Sequence, residues 1–78
     1  MSVNTMNLYE AANSHDLQIE TVPQIHLLTS LGLKQGTKVK IQNRYRLGGP
    51  ILLRVEDAFA VALGKDVATQ ITVTPLNI

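Results

Sequence analysis

Short segments in which apolar and polar residues alternate run through most of this chain, and they constrain its fold more than any other feature. Alternation with a period of two is typical of strands that have one buried face. We predict strands at residues 17–22, 37–46, 51–55, 58–63 and 71–74. A sheet of about five such short strands has to curl in order to bury its apolar face. The pattern therefore predicts a mostly β fold, a small and partly open barrel.

One segment follows a helical period instead. Beyond Pro23, apolar residues recur at helical spacing up to Leu31, and Gly32 can adopt the left-handed conformation that ends a helix. We predict one short helix of about two to three turns after the first strand, with Pro23 in its first turn and Leu33 packed back on its end. A single helical or 3₁₀ turn is expected within residues 64–70.

The 78 residues are enough for one small domain. We assign residues 8–75 to that domain and residues 1–7, which show no periodicity, to a flexible N-terminal lead-in. The absence of cysteine excludes disulfides and thiolate zinc sites. No segment has the roughly 20 apolar residues of a membrane helix, and no signal-peptide pattern is present, so we predict a cytoplasmic location without membrane insertion.

Positive charge is concentrated in residues 34–54, although the net charge is only +1. Four basic residues share one parity of the predicted central strand, and Arg54 is expected across the hairpin; the four are Lys38, Lys40, Arg44 and Arg46. This pattern is typical of an ordinary solvated strand face. Alternatively, it is a contact surface for an acidic partner or for anionic lipid headgroups. Nucleic acid is not expected, because Tyr45, the one aromatic residue near by, has the opposite parity.

Apolar residues supply a second candidate surface. The helix leucines, Leu28 and Leu31 among them, belong to the core unless they exceed what a small barrel can cover. A patch left over would bind a partner or form a homodimer contact. Ala58, Ala60 and Ala62 share one face of their strand and allow another layer to approach closely, which we expect to be the chain's own helix.

No catalytic motif is evident. The Gly48-Gly49-Pro50 loop lacks the lysine of a phosphate loop and precedes a strand, so it predicts a turn. His15 and His26 lie eleven positions apart and lack the spacing of a helical ligand pair. We predict no enzymatic activity, no cofactor and no resident metal. Weak binding of a transition metal through these histidines, as in a metal chaperone, is the alternative.

Three motifs occur in a defined order. The run Leu27-Leu28-Thr29-Ser30-Leu31-Gly32-Leu33-Lys34-Gln35-Gly36-Thr37-Lys38-Val39-Lys40-Ile41 comes first, Leu47-Gly48-Gly49-Pro50-Ile51 follows, and Val61-Ala62-Leu63-Gly64 with Ala68 and Ile71-Thr72-Val73 ends the series. Together, over residues 8–73, they resemble the ferrous iron transport protein A (FeoA) family. The resemblance implies an SH3-like barrel.

The resemblance also implies a function. It points to a bacterial, cytoplasmic and non-enzymatic accessory protein of ferrous iron uptake, whose partner is the cytoplasmic part of the membrane transporter FeoB. The same barrel occurs as the C-terminal domain of iron-dependent repressors. An alternative is therefore an SH3-like regulatory module that acts on a transcription factor or on DNA.

Overall fold

The alternating segments form the strands of one sheet in a computed structural model, which describes residues 5–11, 16–45 and 47–76. Within these ranges the strands number six: β1 (Met6–Asn7), β2 (Asp16–Thr21), β3 (Lys38–Arg44), β4 (Ile51–Val55), β5 (Phe59–Leu63) and β6 (Thr72–Pro75). The helical elements are a 3₁₀ turn (Leu8–Glu10), α1 (His26–Ser30) and α2 (Lys65–Ala68). No helix in the described ranges is long and apolar enough to cross a membrane.

The strands are ordered β1-β6-β2-β3-β4-β5, and every neighbouring pair is antiparallel. In the described part of the chain, the end strands β1 and β5 do not pair with each other, so the sheet curls without closing. The predicted SH3-like, partly open barrel is confirmed. The strand that the sequence pattern did not predict is β1, at the end of the expected lead-in, where Met6 pairs with Val73 of β6.

The inward residues of the strands form the core. Ile19, Ile41 and Leu53 are completely buried on β2, β3 and β4. Their neighbours along each strand are more exposed, as a period of two requires. The core is completed by residues of the connecting segments, namely Leu8, Ala11, Leu28, Leu33, Ala68 and Ile71. The helical turns therefore fill space that the curled sheet leaves open.

Helix α1 is shorter than its pattern predicts. It spans five residues, His26–Ser30, and begins after Ile25, whose backbone is extended at φ −112° and ψ 121°. Pro23 therefore lies outside the helix, and its carbonyl accepts a hydrogen bond from the Ile25 amide at 2.8 Å. Ile25 reaches the core from extended backbone, so its apolar spacing reflects burial without a helical turn.

The end of α1 has the predicted form. Gly32 has a φ of +80°. Its amide donates to the Thr29 carbonyl at 3.0 Å, and the Leu33 amide donates to the Leu28 carbonyl at 2.9 Å. These are the two hydrogen bonds of the Schellman motif, and the apolar contact that accompanies it is supplied by the buried side chains of Leu28 and Leu33.

Replacement of Gly32 by alanine tests this motif. We expect Gly32→Ala to lower the free energy of unfolding by about 1–2 kcal/mol, because an L-residue at a positive φ is strained. Steric clash does not contribute, since a Cβ at this position would have no neighbour within 4 Å. Gly64→Ala is the matched control, because Gly64 has a φ of −68°. Urea unfolding of both variants measures the difference, and equal losses would show that φ at residue 32 is unimportant.

A bulge in β3 changes the face on which Arg44 lies. Ile41 pairs with Leu53, whereas Asn43 pairs with Leu52, so β3 contains one additional residue at this point. Arg44 then pairs with the buried Ile51 and shares its face of the sheet. The prediction that Arg44 lies beside Lys38 and Lys40 is therefore wrong. Arg46 lies outside the described residues.

The alanine face of β5 is not covered. Ala58, Ala60 and Ala62 are all exposed, so the expected packing of a helix against them is wrong. The helix that follows β5, α2, contacts the 3₁₀ turn near the N-terminus instead. The reason is topological, since the chain passes from β5 through α2 to β6, next to β1.

Candidate interaction surfaces

Three of the predicted basic residues lie together on the outer face of β3 and β4. Lys40 and Arg54 are cross-strand partners, and Lys38 is two residues before Lys40. They line a shallow groove of about 310 Å³. The other described residues of the groove are Asp16, Val39, Glu56, Asp57 and Leu76. The groove thus contains three carboxylates beside the three cations; Asp16 comes from β2, whereas Glu56 and Asp57 directly follow β4.

The carboxylates of the groove make one ion pair and one hydrogen bond to the backbone. Lys40 Nζ lies 3.5 Å from Asp16 Oδ1. Glu56 Oε2 accepts a hydrogen bond from the backbone amide of Lys38 at 3.1 Å. An exposed ion pair of this kind is worth only about 0–1 kcal/mol. The number of charges is more informative than the strength of this pair. The described groove has as many carboxylates as cations, so it has no excess of positive charge, although β3 and β4 are strongly basic.

Arg44 and Tyr9 connect the N-terminal 3₁₀ turn with β3, with α2 and with the loop after β3. The Arg44 guanidinium donates hydrogen bonds from Nη1 to the carbonyl of Tyr9 and from Nη2 to the carbonyl of Ala11. It also lies 5.8 Å from the centroid of the Tyr9 ring, and Lys65 Nζ of α2 lies 5.7 Å from the same centroid. Both distances are within the range of a cation–π contact. The Tyr9 hydroxyl donates to the carbonyl of Gly49 at 2.9 Å. We call Tyr9, Arg44, Gly49 and Lys65 the Tyr9 cluster.

The loop between β3 and β4 presents apolar side chains to solvent. Leu47 is fully exposed and has a φ of +61°, and Tyr45 is 47% exposed. A leucine in the left-handed region costs about 1–2 kcal/mol, and its exposure forgoes the stabilisation that burial would supply. The base of the loop is held by the Tyr9 cluster and by a hydrogen bond from the Tyr45 amide to the Pro50 carbonyl at 3.1 Å. We call Tyr45 and Leu47 the loop tip.

The loop tip is not among the surfaces that the sequence predicts. The sequence pattern predicts a turn at residues 47–50 and places Tyr45 on the apolar face of its strand. The signal in the sequence is an apolar residue beside Gly48, in a segment where turns usually carry polar residues. The full exposure of Leu47 and its positive φ indicate that folding alone does not require a leucine at this position.

The helix leucines divide differently from the prediction. Leu28 is buried in the core and is not available to a partner, and Leu31 is half-buried and packs on the core. The leucine of α1 that faces solvent is Leu27, which is 62% exposed. The five-residue length of α1 is the reason, because so short a helix turns few side chains inward.

The described residues do not assemble a metal centre. His26 is exposed on α1, and among residues 5–11, 16–45 and 47–76 no group of three potential ligands comes together. His15, the other candidate ligand, lies outside these ranges. Within the described ranges, the groove and the loop tip are the exposed features described above.

Comparison with solved structures finds close matches in fold. An FeoA protein from Chlorobium tepidum is 26% identical, with a TM-score of 0.82 over 92% of this chain and 71% of that one. An FeoA-like protein from Clostridium acetobutylicum is 23% identical, with a TM-score of 0.81 over 100% of this chain and 93% of that one. A manganese-dependent transcriptional repressor is 17% identical, with a TM-score of 0.84, and shares the fold alone. The matched region spans 97% of this chain but only 44% of the repressor chain.

Comparison of sequences distinguishes among the families that share this fold. No curated protein sequence matches the chain significantly. The family model of the FeoA domain, however, matches residues 6–75, which include every strand described above. Because that match extends over most of the 78 residues, the protein belongs to the FeoA domain family.

Proposed function

We propose that this protein is a non-enzymatic, cytoplasmic accessory protein of ferrous iron uptake, and that it binds the cytoplasmic part of the membrane transporter FeoB. Membership of the FeoA family supports a role in iron uptake. The docking function is inferred from the loop tip, where Leu47 is fully exposed in a left-handed conformation. A side chain that is unfavourable for folding in two ways is well explained if it is buried by a partner.

The loop tip has the properties of a binding anchor. The Tyr9 cluster holds the base of the loop, so little conformational entropy is lost when Leu47 enters a pocket. Lys65 lies near the loop, since its Cδ would be 4.0 Å from a Cβ at Gly48. An apolar anchor beside a cation matches a pocket on the transporter that is apolar at its centre and acidic at its rim.

Binding to the isolated cytoplasmic domain of FeoB tests this proposal. We expect Leu47→Ser to weaken binding by about tenfold or more, because truncation of a central anchor commonly costs over 1 kcal/mol. Leu27→Ser is the matched control, since it removes the same side chain from an exposed position on α1. Calorimetric titration should be done with and without guanine nucleotide. Absence of binding by the unmodified protein in both states would reject the function, and equal effects of the two variants would reject the loop tip as the site.

A second candidate is a regulatory module that acts on a transcription factor or on DNA. The fold shared with the manganese-dependent repressor favours it. The balanced charge of the groove makes DNA a poor ligand, because affinity for duplex depends on cations that neutralise phosphates. Tight binding to duplex DNA that falls steeply as salt increases would favour this function over the first.

A further inference from the structure

Strand β5 leaves an open edge at one end of the sheet. In the described ranges it pairs with β4 alone, so its other side presents backbone N–H and C=O groups without a ladder. Proteins usually protect such an edge with lysine, proline, a bulge or a very short strand. The five residues of β5 include no charge and no proline, and their register with β4 is regular. At the other end of the sheet, β1 is protected by its length of two residues.

The side chains of β5 are complementary to those of an identical strand. Large and small residues alternate symmetrically about Val61. An antiparallel pair centred on Val61 would place Phe59 opposite the partner's Leu63, and Ala60 opposite the partner's Ala62. Phe59 is 41% exposed and both alanines are exposed, so apolar surface is available on both faces of the strand. Such a contact is isologous and closes as a dimer.

The charges that flank β5 favour the same arrangement. Asp57 lies four residues before Val61, and Lys65 lies four residues after it. The two-fold axis therefore places Asp57 of each copy at the same end of the paired strands as the partner's Lys65, which gives two such pairs in the dimer. Glu56, one residue further out, directs its carboxylate to the backbone amide of Lys38. A strand of unrelated sequence would not reproduce this match of apolar centre and opposite charges.

We propose that two copies of this protein associate through antiparallel pairing of their β5 edges, which joins their two six-stranded sheets into one. The contact uses backbone hydrogen bonds for affinity and the apolar pairs about Val61 for register. It includes neither Tyr45 nor Leu47 of the loop tip, although Lys65 lies near both surfaces. Its test measures self-association alone, so it does not depend on the proposed binding to FeoB.

Charge substitutions on the exposed alanines test both the pairing and its register. In the proposed dimer, the variant A60K/A62K sets lysines against lysines, and A60E/A62E sets glutamates against glutamates. We expect sedimentation velocity to show that each variant alone dimerises at least about tenfold more weakly than the unmodified protein. An equimolar mixture of the two is expected to form a heterodimer, because lysine then faces glutamate at both positions.

The same variants separate association from folding. Arg54 is the cross-strand neighbour of Ala60 within the chain, so the glutamate variant gains an intrachain attraction and the lysine variant a repulsion. Their thermal stabilities should shift in opposite directions, whereas both should lose self-association. The proposal is overturned if the unmodified protein is monomeric up to about 1 mM. It is also overturned if either variant dimerises as the unmodified protein does, or if the mixture remains monomeric.

Discussion

Leu53→Ala is expected to lower the free energy of unfolding by about 2–5 kcal/mol, the largest effect of any single change considered for this protein. Leu53 is completely buried, and it lies between Ile41 of β3 and Val61 of β5 at the centre of the barrel. Removal of its side chain leaves a cavity that neighbouring strands cannot close without losing their pairing. A domain of this size has a total stability of only about 4–12 kcal/mol, so the variant should lose a large fraction of its stability.

Leu52→Ala is the matched control for this prediction. It removes the same atoms from the adjacent position of β4, where the side chain is half-buried on the outer face. We expect it to lower the free energy of unfolding by about 1 kcal/mol, in proportion to the smaller apolar area lost from burial. Urea unfolding followed by circular dichroism compares the two variants. Similar losses would contradict the assignment of Leu53 to the core and Leu52 to the surface.

Arg44→Met is expected to have the second largest effect, a loss of about 2–3 kcal/mol. The substitution keeps much of the aliphatic stem but removes the guanidinium that donates to the carbonyls of Tyr9 and Ala11. Hydrogen bonds from a charged donor are worth more than neutral ones, and the carbonyls left without this donor lie in a partly buried site. The melting temperature should fall by roughly 10–20 °C, since 1 kcal/mol corresponds to about 4–8 °C in a domain of this size.

Lys40→Met is the control for Arg44→Met. Lys40 lies on the same strand, on the other side of the bulge, and forms an exposed ion pair with Asp16. We expect a change of less than about 1 kcal/mol, which is the ordinary range for such pairs. Thermal unfolding at low and high salt measures both variants. If Arg44→Met were no more destabilising than Lys40→Met, the Tyr9 cluster would contribute little to holding the N-terminal turn on the barrel.

Features that depend on nearby residues could be predicted from the sequence, whereas features that depend on contacts between distant residues could not. The pattern predicted the end of α1, because the motif that closes it is contained within residues 28–33. It did not predict β1, because Met6 is recognised as part of a strand only through its pairing with Val73. The face on which Arg44 lies followed only from the pairing of β3 with β4, which contains the bulge at Asn43. One additional residue moves every following side chain to the other face.

The amino-acid sequence by itself determined the class of fold and most of the core, because burial of alternate residues is a local property that each strand carries in its own order of side chains. The tertiary structure alone decided which charges meet and which surfaces remain open. Asp16 of β2 pairs with Lys40 in the basic groove of β3 and β4, and β5 becomes an uncovered edge because the chain leaves it through α2 toward β6. These features depend on distances between segments that loops bring together, and no periodicity along the chain encodes such distances.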